Sequence, residues 1–206
     1  MSNKRYLLAL LLLVSLFNFT DHMIFALLMQ SIKEDLFLSD TQLGLLSGLA
    51  FAVFYCTLGI PIARWADRGN RITIISISVA IFSAMTALCG LATGFTQLLL
   101  FRIGVGAGEA GCTPSSHSLI SDYFSRANRA KAMSIYMMGA PLGMLVGYLV
   151  GGWVNELYGW RIVFLVLGVP GVILGVIVKL TLRDPRENLA VDKLSSQQEA
   201  QAVVLP

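Results

Sequence analysis

Six apolar runs follow one another through the 206-residue chain, and the charged residues gather in the short gaps between them. Each run is close to the 20 or so residues that a helix needs to cross a hydrocarbon core. This pattern rules out an ordinary soluble domain, which spreads about 25% charged residues over its surface; here the charged share is 13% against 56% hydrophobic. The runs predict an all-α membrane protein with transmembrane helices near 5–30, 40–64, 72–94, 96–122, 131–153 and 161–182. Each gap has a local reason to break a helix. Lys33-Glu34-Asp35 follows the first run, and Ser39 or Asp40 offers an N-cap for the second. Asp67-Arg68-Gly69-Asn70-Arg71 forms a charged turn, Thr93-Gly94 a short one, and Ser125 to Lys131 and Asn155 to Arg161 separate the last three runs.

Lys4-Arg5 followed by an apolar stretch imitates a secretory leader, but no small-x-small cleavage site follows and the stretch continues to about Gln30. It reads as a first transmembrane helix that stays. Orientation follows from the basic residues. One side of the membrane receives Lys4, Arg5, Arg64, Arg68, Arg71, Arg126, Arg129, Lys131, Lys179, Arg183, Arg186 and Lys193; the other receives Lys33 and Arg161. The positive-inside rule then places both termini in the cytoplasm, for a multi-pass protein of a bacterial inner membrane. Residues 1–182 form the bundle. From Arg183 the chain turns polar, so 183–206 reads as a flexible cytoplasmic tail or the start of a linker.

Three ionisable residues fall well inside the runs: Asp21 in the first, Arg102 and Glu109 in the fourth. Near the bilayer centre such a residue costs about 2.5–3.5 kcal/mol, so it is paired or lines a cavity. Arg102 and Glu109, seven positions apart, share one helix face at a separation of roughly 10 Å. If the first and fourth helices face each other, Asp21 lies at a level between them. One arginine can then neutralise one carboxylate while the other changes protonation, a proton switch; the bland alternative is a static ion pair that fixes packing. His22 points about 100° away from Asp21 and either helps that titration or faces a neighbour. His117 reads as a polar packing residue.

Gly139, Gly143, Gly147 and Gly151 recur at steps of four on one face of the fifth run. Small residues at this spacing let helix backbones approach closely in lipid; a face that slides during motion is the sharper alternative. Pro114, Pro141 and Pro170 are expected to kink the runs that hold them.

Other functions find no footing. The net charge of +3 is no nucleic-acid footprint, lacking a basic stripe with interleaved aromatics. Cys56, Cys89 and Cys112 lie in apolar runs without metal-ligand spacing and read as packing residues. Gly104-x-Gly106-x-Gly108 lacks the strand–helix context and lysine that phosphate binding needs. No cofactor is expected. An intramembrane serine protease would need a Gly-x-Ser-Gly nucleophile, and Gly44-Leu45-Leu46-Ser47-Gly48 has the wrong spacing. The chain is not expected to be an enzyme.

Taken together, these motifs resemble the N-terminal half of a major facilitator superfamily transporter, and are similar to those of bacterial Spinster-like members. Ala63-Arg64-Trp65-Ala66-Asp67-Arg68-Gly69-Asn70-Arg71 is similar to the superfamily's loop signature G-x-x-a-D-r-x-g-r, departing at Ala63 and Asn70. Arg102 with Gly104, Gly106 and Gly108 matches the arginine-glycine signature of the fourth helix, and Gly108-Glu109-Ala110 its Spinster-like variant. Asn18-Phe19-Thr20-Asp21-His22 is similar to that branch's N-[YF]-x-D-R, with His22 in place of arginine. The resemblance implies two inverted three-helix repeats, and Gly69-x-Arg71 recurs as Gly159-x-Arg161 at the corresponding turn. It implies a proton-coupling and substrate-binding group of Asp21, Arg102 and Glu109. It also implies a cytoplasmic latch of Asp67, Arg68, Arg71, Asp122 and Arg126, where positive-inside topology alone is the competing account. The expected activity is proton-coupled transport of an anionic or amphipathic organic solute, such as a lysophospholipid-like molecule. Such transporters use two six-helix halves, so the expected partners include protons, the lipid bilayer, and a second transporter half or a second copy. The short polar tail favours truncation or a split gene over an evolved homodimer, and a non-transporting truncated fragment is the alternative reading.

Overall fold

The computed structural model describes residues 4–184, apart from the side chains at positions 49–51, 58, 63 and 66–68. Among the described residues all regular structure is helical. With no water in the bilayer core, a chain of this composition must satisfy its backbone N–H and C=O groups within each segment, which a helix does. The elements are α1 (Lys4–Leu36), α2 (Asp40–Gly44), a π-helical stretch (Leu45–Leu49), α3 (Ala50–Arg68), α4 (Arg71–Cys89), α5 (Phe95–Glu109), α6 (Cys112–Tyr123), α7 (Arg126–Met137), α8 (Gly139–Tyr158) and α9 (Trp160–Thr181).

These make the expected six spans, with two corrections. Five helical runs are long and apolar enough to cross a membrane. The fourth span is built as α5 and α6, with a break at Ala110–Gly111, and the fifth as α7 and α8, with a break at Met138. Pro114 and Pro141 each sit third in the helix that follows the break. The missing proline N–H is tolerated in a first turn, where it has no intrahelical partner. They therefore mark restarts rather than the kinks expected, whereas Pro170 lies within an unbroken α9. The first span is also longer than expected. Lys33, Glu34 and Asp35 stay helical, and α1 ends where Phe37 takes φ 52° while Leu38 N–H donates to the Lys33 carbonyl at 3.1 Å.

Local chemistry sets the other starts. Ser39 caps α2 with a complete capping box: Gln42 N–H donates to Ser39 Oγ and Ser39 N–H to Gln42 Oε1. Asn70 caps α4, accepting from Thr73 N–H at 2.9 Å, which gives that departure from the loop signature a structural use. At the α8–α9 turn Gly159 adopts φ 80°, ψ 165°, a region open essentially to glycine alone. Gly159→Ala is expected to cost roughly 1–3 kcal/mol, read as a lowered unfolding midpoint of the purified protein.

α1 packs along α8, and α4 packs along α9 and α5; α3 packs on α5 and α1 on α9. Exchanging the first, second and third spans with the fourth, fifth and sixth maps this pattern onto itself, as two inverted repeats require. The glycine face of α8 makes its pairing possible. A Cβ on Gly139 would stand 2.5 Å from Ser15 Oγ, and one on Gly143 2.5 Å from the Leu16 carbonyl oxygen. Thr20 Oγ1 donates to the Gly143 carbonyl at 3.0 Å across this seam. A second seam escaped the sequence reading: Gly168, Gly171 and Gly175 of α9 lie against Ser83, Ala87 and Ala80 of α4.

The apolar core divides in two. Leu7, Val14, Phe82, Val105, Leu119 and Val178 belong to one cluster, and Ile24, Phe25, Leu28, Cys89, Leu98 and Phe164 to the other. Along α1, α4 and α5 the clusters meet near Asp21, Thr86 and Arg102, so the charged group sits at the seam between them.

Candidate functional site

Asp21, Arg102 and Glu109 are all buried, at 3%, 2% and 0% exposure. Arg102 Nη1 meets Asp21 Oδ2 at 2.9 Å, and Thr86 Oγ1 donates to Asp21 Oδ1 at 2.5 Å. The guanidinium carbon of Arg102 stands 4.2 Å from the Phe25 ring centroid, so the cation has an aromatic face as well as a carboxylate. Glu109 does not share Arg102 at ion-pair distance. Its partner is His22, whose Nε2 lies 3.0 Å from Glu109 Oε2, while Glu109 Oε1 has no hydrogen-bond partner among the described residues. The spacing on each helix explains the division. Asp21 and His22 leave α1 about 100° apart, and Arg102 and Glu109 leave their shared face roughly 10 Å apart. Each acidic group thus meets a nitrogen-bearing side chain from the facing helix, Arg102 for Asp21 and His22 for Glu109.

The neighbour that His22 faces is Glu109, with the His22 side chain 31% exposed. Thr86 and Ser83 are site residues that sequence reasoning missed. Both line, with Asp21, a small cavity of about 10 Å³ between α1, α4 and α9, and Ser83 Oγ has no partner among the described residues. A hydroxyl in an apolar run carries no signal in sequence beyond its polarity. His117 stacks edge-on against Tyr136 at 5.3 Å between ring centroids, a packing contact. Ser47 Oγ donates to the Gly44 carbonyl, so the nearest match to a serine nucleophile is spent on its own helix.

At one end of the bundle Arg71 is fully buried and joins three segments. Its Nη2 donates to Asp184 Oδ1 at 2.6 Å and its Nε to Asp184 Oδ2 at 3.1 Å; its Nη1 donates to Asp122 Oδ2 at 2.6 Å and to Ser118 Oγ. Asp184, expected in the flexible segment, is 2% exposed and held against the start of α4, because a buried guanidinium needs more than one acceptor. The remainder of the expected tail, 185–206, lies outside the described residues, as do the side chains of Asp67 and Arg68. Arg126 is exposed and takes no part in the Arg71 cluster.

At the opposite end Arg161 pairs with Asp35, donates to the Ala92 carbonyl at 2.9 Å and stacks on Trp160, whose indole N–H also reaches Asp35. The two ends correspond. Arg71 opens the third span and meets Asp122 at the end of the fourth; Arg161 opens the sixth and meets Asp35 at the end of the first. The echo of Gly69-x-Arg71 in Gly159-x-Arg161 is therefore a pair of equivalent clamps, one at each end.

Comparison with known proteins agrees with this architecture. The sequence matches the Major Facilitator Superfamily over residues 11–205. An MFS-type efflux pump of Mycolicibacterium smegmatis is 34% identical over 84% of this chain and 40% of its own length. The protein spinster of Drosophila melanogaster is 27% identical over 87% of this chain and 30% of its own. Among solved structures, a bacterial homologue of the human lysosomal transporter Spinster, in an inward-facing and unoccupied conformation, shares 42% identity with a TM-score of 0.83; the match covers 88% of this chain and 43% of that one. The chain thus spans less than half the length of these relatives, which are transporters and not enzymes. It belongs to the Major Facilitator Superfamily, as an N-terminal half similar to that of Spinster-like transporters.

Proposed function

We propose that this chain forms the N-terminal half of a proton-coupled secondary transporter for an anionic or amphipathic organic solute, in a bacterial inner membrane with both chain ends cytoplasmic. The observation that carries the reading is the buried group of Asp21, Arg102 and Glu109 at the seam of the core, with His22 against Glu109, since ionisable residues at membrane depth are functional by default. Arg102 is engaged by Asp21. Protonation of Asp21 removes the charge that holds the guanidinium, which then accepts an anionic group of the solute; loss of the proton returns Arg102 to Asp21. The His22–Glu109 pair is a second proton carrier on the same two spans. The likeness to Spinster homologues supports a lipid-like solute such as a lysophospholipid.

Alternating access needs a second six-helix body to rock against, so the working unit pairs this chain with a second half or a second copy. Arg71 and Asp122 are joined within the bundle. The latch proposed on the cytoplasmic side keeps Asp67, Arg68 and exposed Arg126 as the residues that meet the partner body. Native mass spectrometry of the purified chain separates the arrangements: a dimer supports two copies, a monomer a partner supplied separately.

The coupling group is tested with the chain and a second half reconstituted in vesicles and driven by an imposed proton gradient. Asp21→Asn and Glu109→Gln are each expected to lower gradient-driven uptake of a lysophospholipid at least tenfold. Uptake unchanged in both variants would overturn the proton-coupling role.

A further inference from the structure

We infer that the recess between the start of α1 and the start of α7 binds the phosphate headgroup of an anionic phospholipid, taken from the leaflet on the basic side of the bundle. The recess measures about 450 Å³, larger than a lone phosphate needs and within the range of small-molecule sites. Lys4 from α1 and Lys131 from α7 line it beside Arg5, with no carboxylate among the described lining residues. Lys4 Nζ also stands 6.0 Å from the Phe124 ring centroid, which keeps that ammonium over the rim. Ser125 and Asn128 offer hydrogen-bonding side chains at the same wall. Ser125 opens α7 without a side-chain cap, so the amides of that first turn add positive partial charge.

Two further features choose a lipid over a soluble anion. The floor is apolar, formed by the buried Leu8 and Ala132, and suits the glycerol and first methylenes of an acyl chain. The cations stand at the ends of a membrane-crossing helix, at headgroup depth, where basic pockets between transmembrane helices take anionic headgroups. The site is separate from the coupling group: Lys4 and Asp21 are 17 positions apart on α1, roughly 25 Å along the axis. Its occupation does not depend on which solute is transported.

The test uses the 206-residue chain in neutral detergent, titrated with dioleoylphosphatidylglycerol or dioleoylphosphatidylcholine and read by native mass spectrometry. Retention of the phosphatidylglycerol is expected at least tenfold above the zwitterionic lipid. Each of Lys4→Gln and Lys131→Gln is expected to weaken it about fivefold, the worth of one basic residue near an anionic surface. The double variant is expected to lose the preference, and Lys131→Arg to keep it. Arg126→Gln removes the same charge outside the recess and is expected to leave retention unchanged. Equal retention of both lipids overturns the proposal, and so does an Arg126→Gln loss matching that of Lys131→Gln, which would mean diffuse surface charge. Displacement of phosphatidylglycerol by an equal concentration of inorganic phosphate overturns the lipid assignment in favour of a soluble anion. If the double variant does not fold, the Lys131→Gln and Arg126→Gln comparison decides alone.

Discussion

Gly143→Ala is expected to destabilise the bundle by about 2–3 kcal/mol, although the same substitution on an open helix face stabilises it. A Cβ at Gly143 would lie 2.5 Å from the Leu16 carbonyl oxygen and 3.1 Å from the Thr20 amide nitrogen. These are backbone atoms of α1, so relief requires the helices to part rather than a side chain to turn. Overpacking of this kind costs about 1–3 kcal/mol, and parting α8 from α1 also strains the Thr20 hydroxyl bond to the Gly143 carbonyl. Gly152 supplies the control, because a Cβ there meets nothing within 4 Å. Its alanine variant gains the roughly 1 kcal/mol by which alanine exceeds glycine in helix propensity. Thermal unfolding in detergent should therefore move in opposite directions for the two variants. An equal rise in both would mean that the glycine face of α8 is not the close contact described. The more distant Gly147, 3.2 Å from Met23 Cβ, should show a smaller loss, since the helices need part by only a few tenths of an ångström there.

The second large effect is expected at Arg71. Arg71→Met removes the guanidinium from buried Asp184 while keeping the backbone N–H bond to it, and loss of one partner of a buried ion pair costs about 3–5 kcal/mol. Asp122 is the lesser partner. Its side chain is 39% exposed, so water replaces much of what Arg71 gave it, and Asp122→Asn should cost under about 1 kcal/mol. Combining Arg71→Met with Asp184→Leu should recover most of the loss, because an apolar pair of similar volume removes both buried charges together. Unfolding midpoints of the three variants decide the matter. If Arg71→Met melts no lower than Asp122→Asn, Arg71 does not hold the segment after α9 to the start of α4.

The spans were legible because bilayer thickness fixes the length of an apolar helix, and the α8 glycine face because a four-residue period is visible in one dimension. Chain breaks were less legible. Proline at positions 114 and 141 signals interruption, but whether the helix bends or restarts depends on what the adjoining segment packs against. The α9 seam was missed because Gly168, Gly171 and Gly175 are spaced by three and four, and half of the seam is Ser83, Ala80 and Ala87 on another helix. His22 was left between two roles because a helical angle gives direction and not the neighbour found there. Asp184 was misplaced for the converse reason: its polar surroundings look like tail, while its partner Arg71 lies 113 residues away.

By itself the sequence determined the six spans, the basic bias of one membrane side and the depth of Asp21, Arg102 and Glu109. These properties follow from the free energy of placing each residue at its depth in lipid, a local quantity. Only the tertiary structure decided that Asp21 meets Arg102 and Glu109 meets His22, that Thr86 and Ser83 join the group, and that Arg71 and Arg161 clamp opposite ends. Those pairings depend on the rotation and offset of helices that are far apart in the chain. Close packing of glycine faces sets them, because it fixes each helix against its neighbour to within a fraction of a turn.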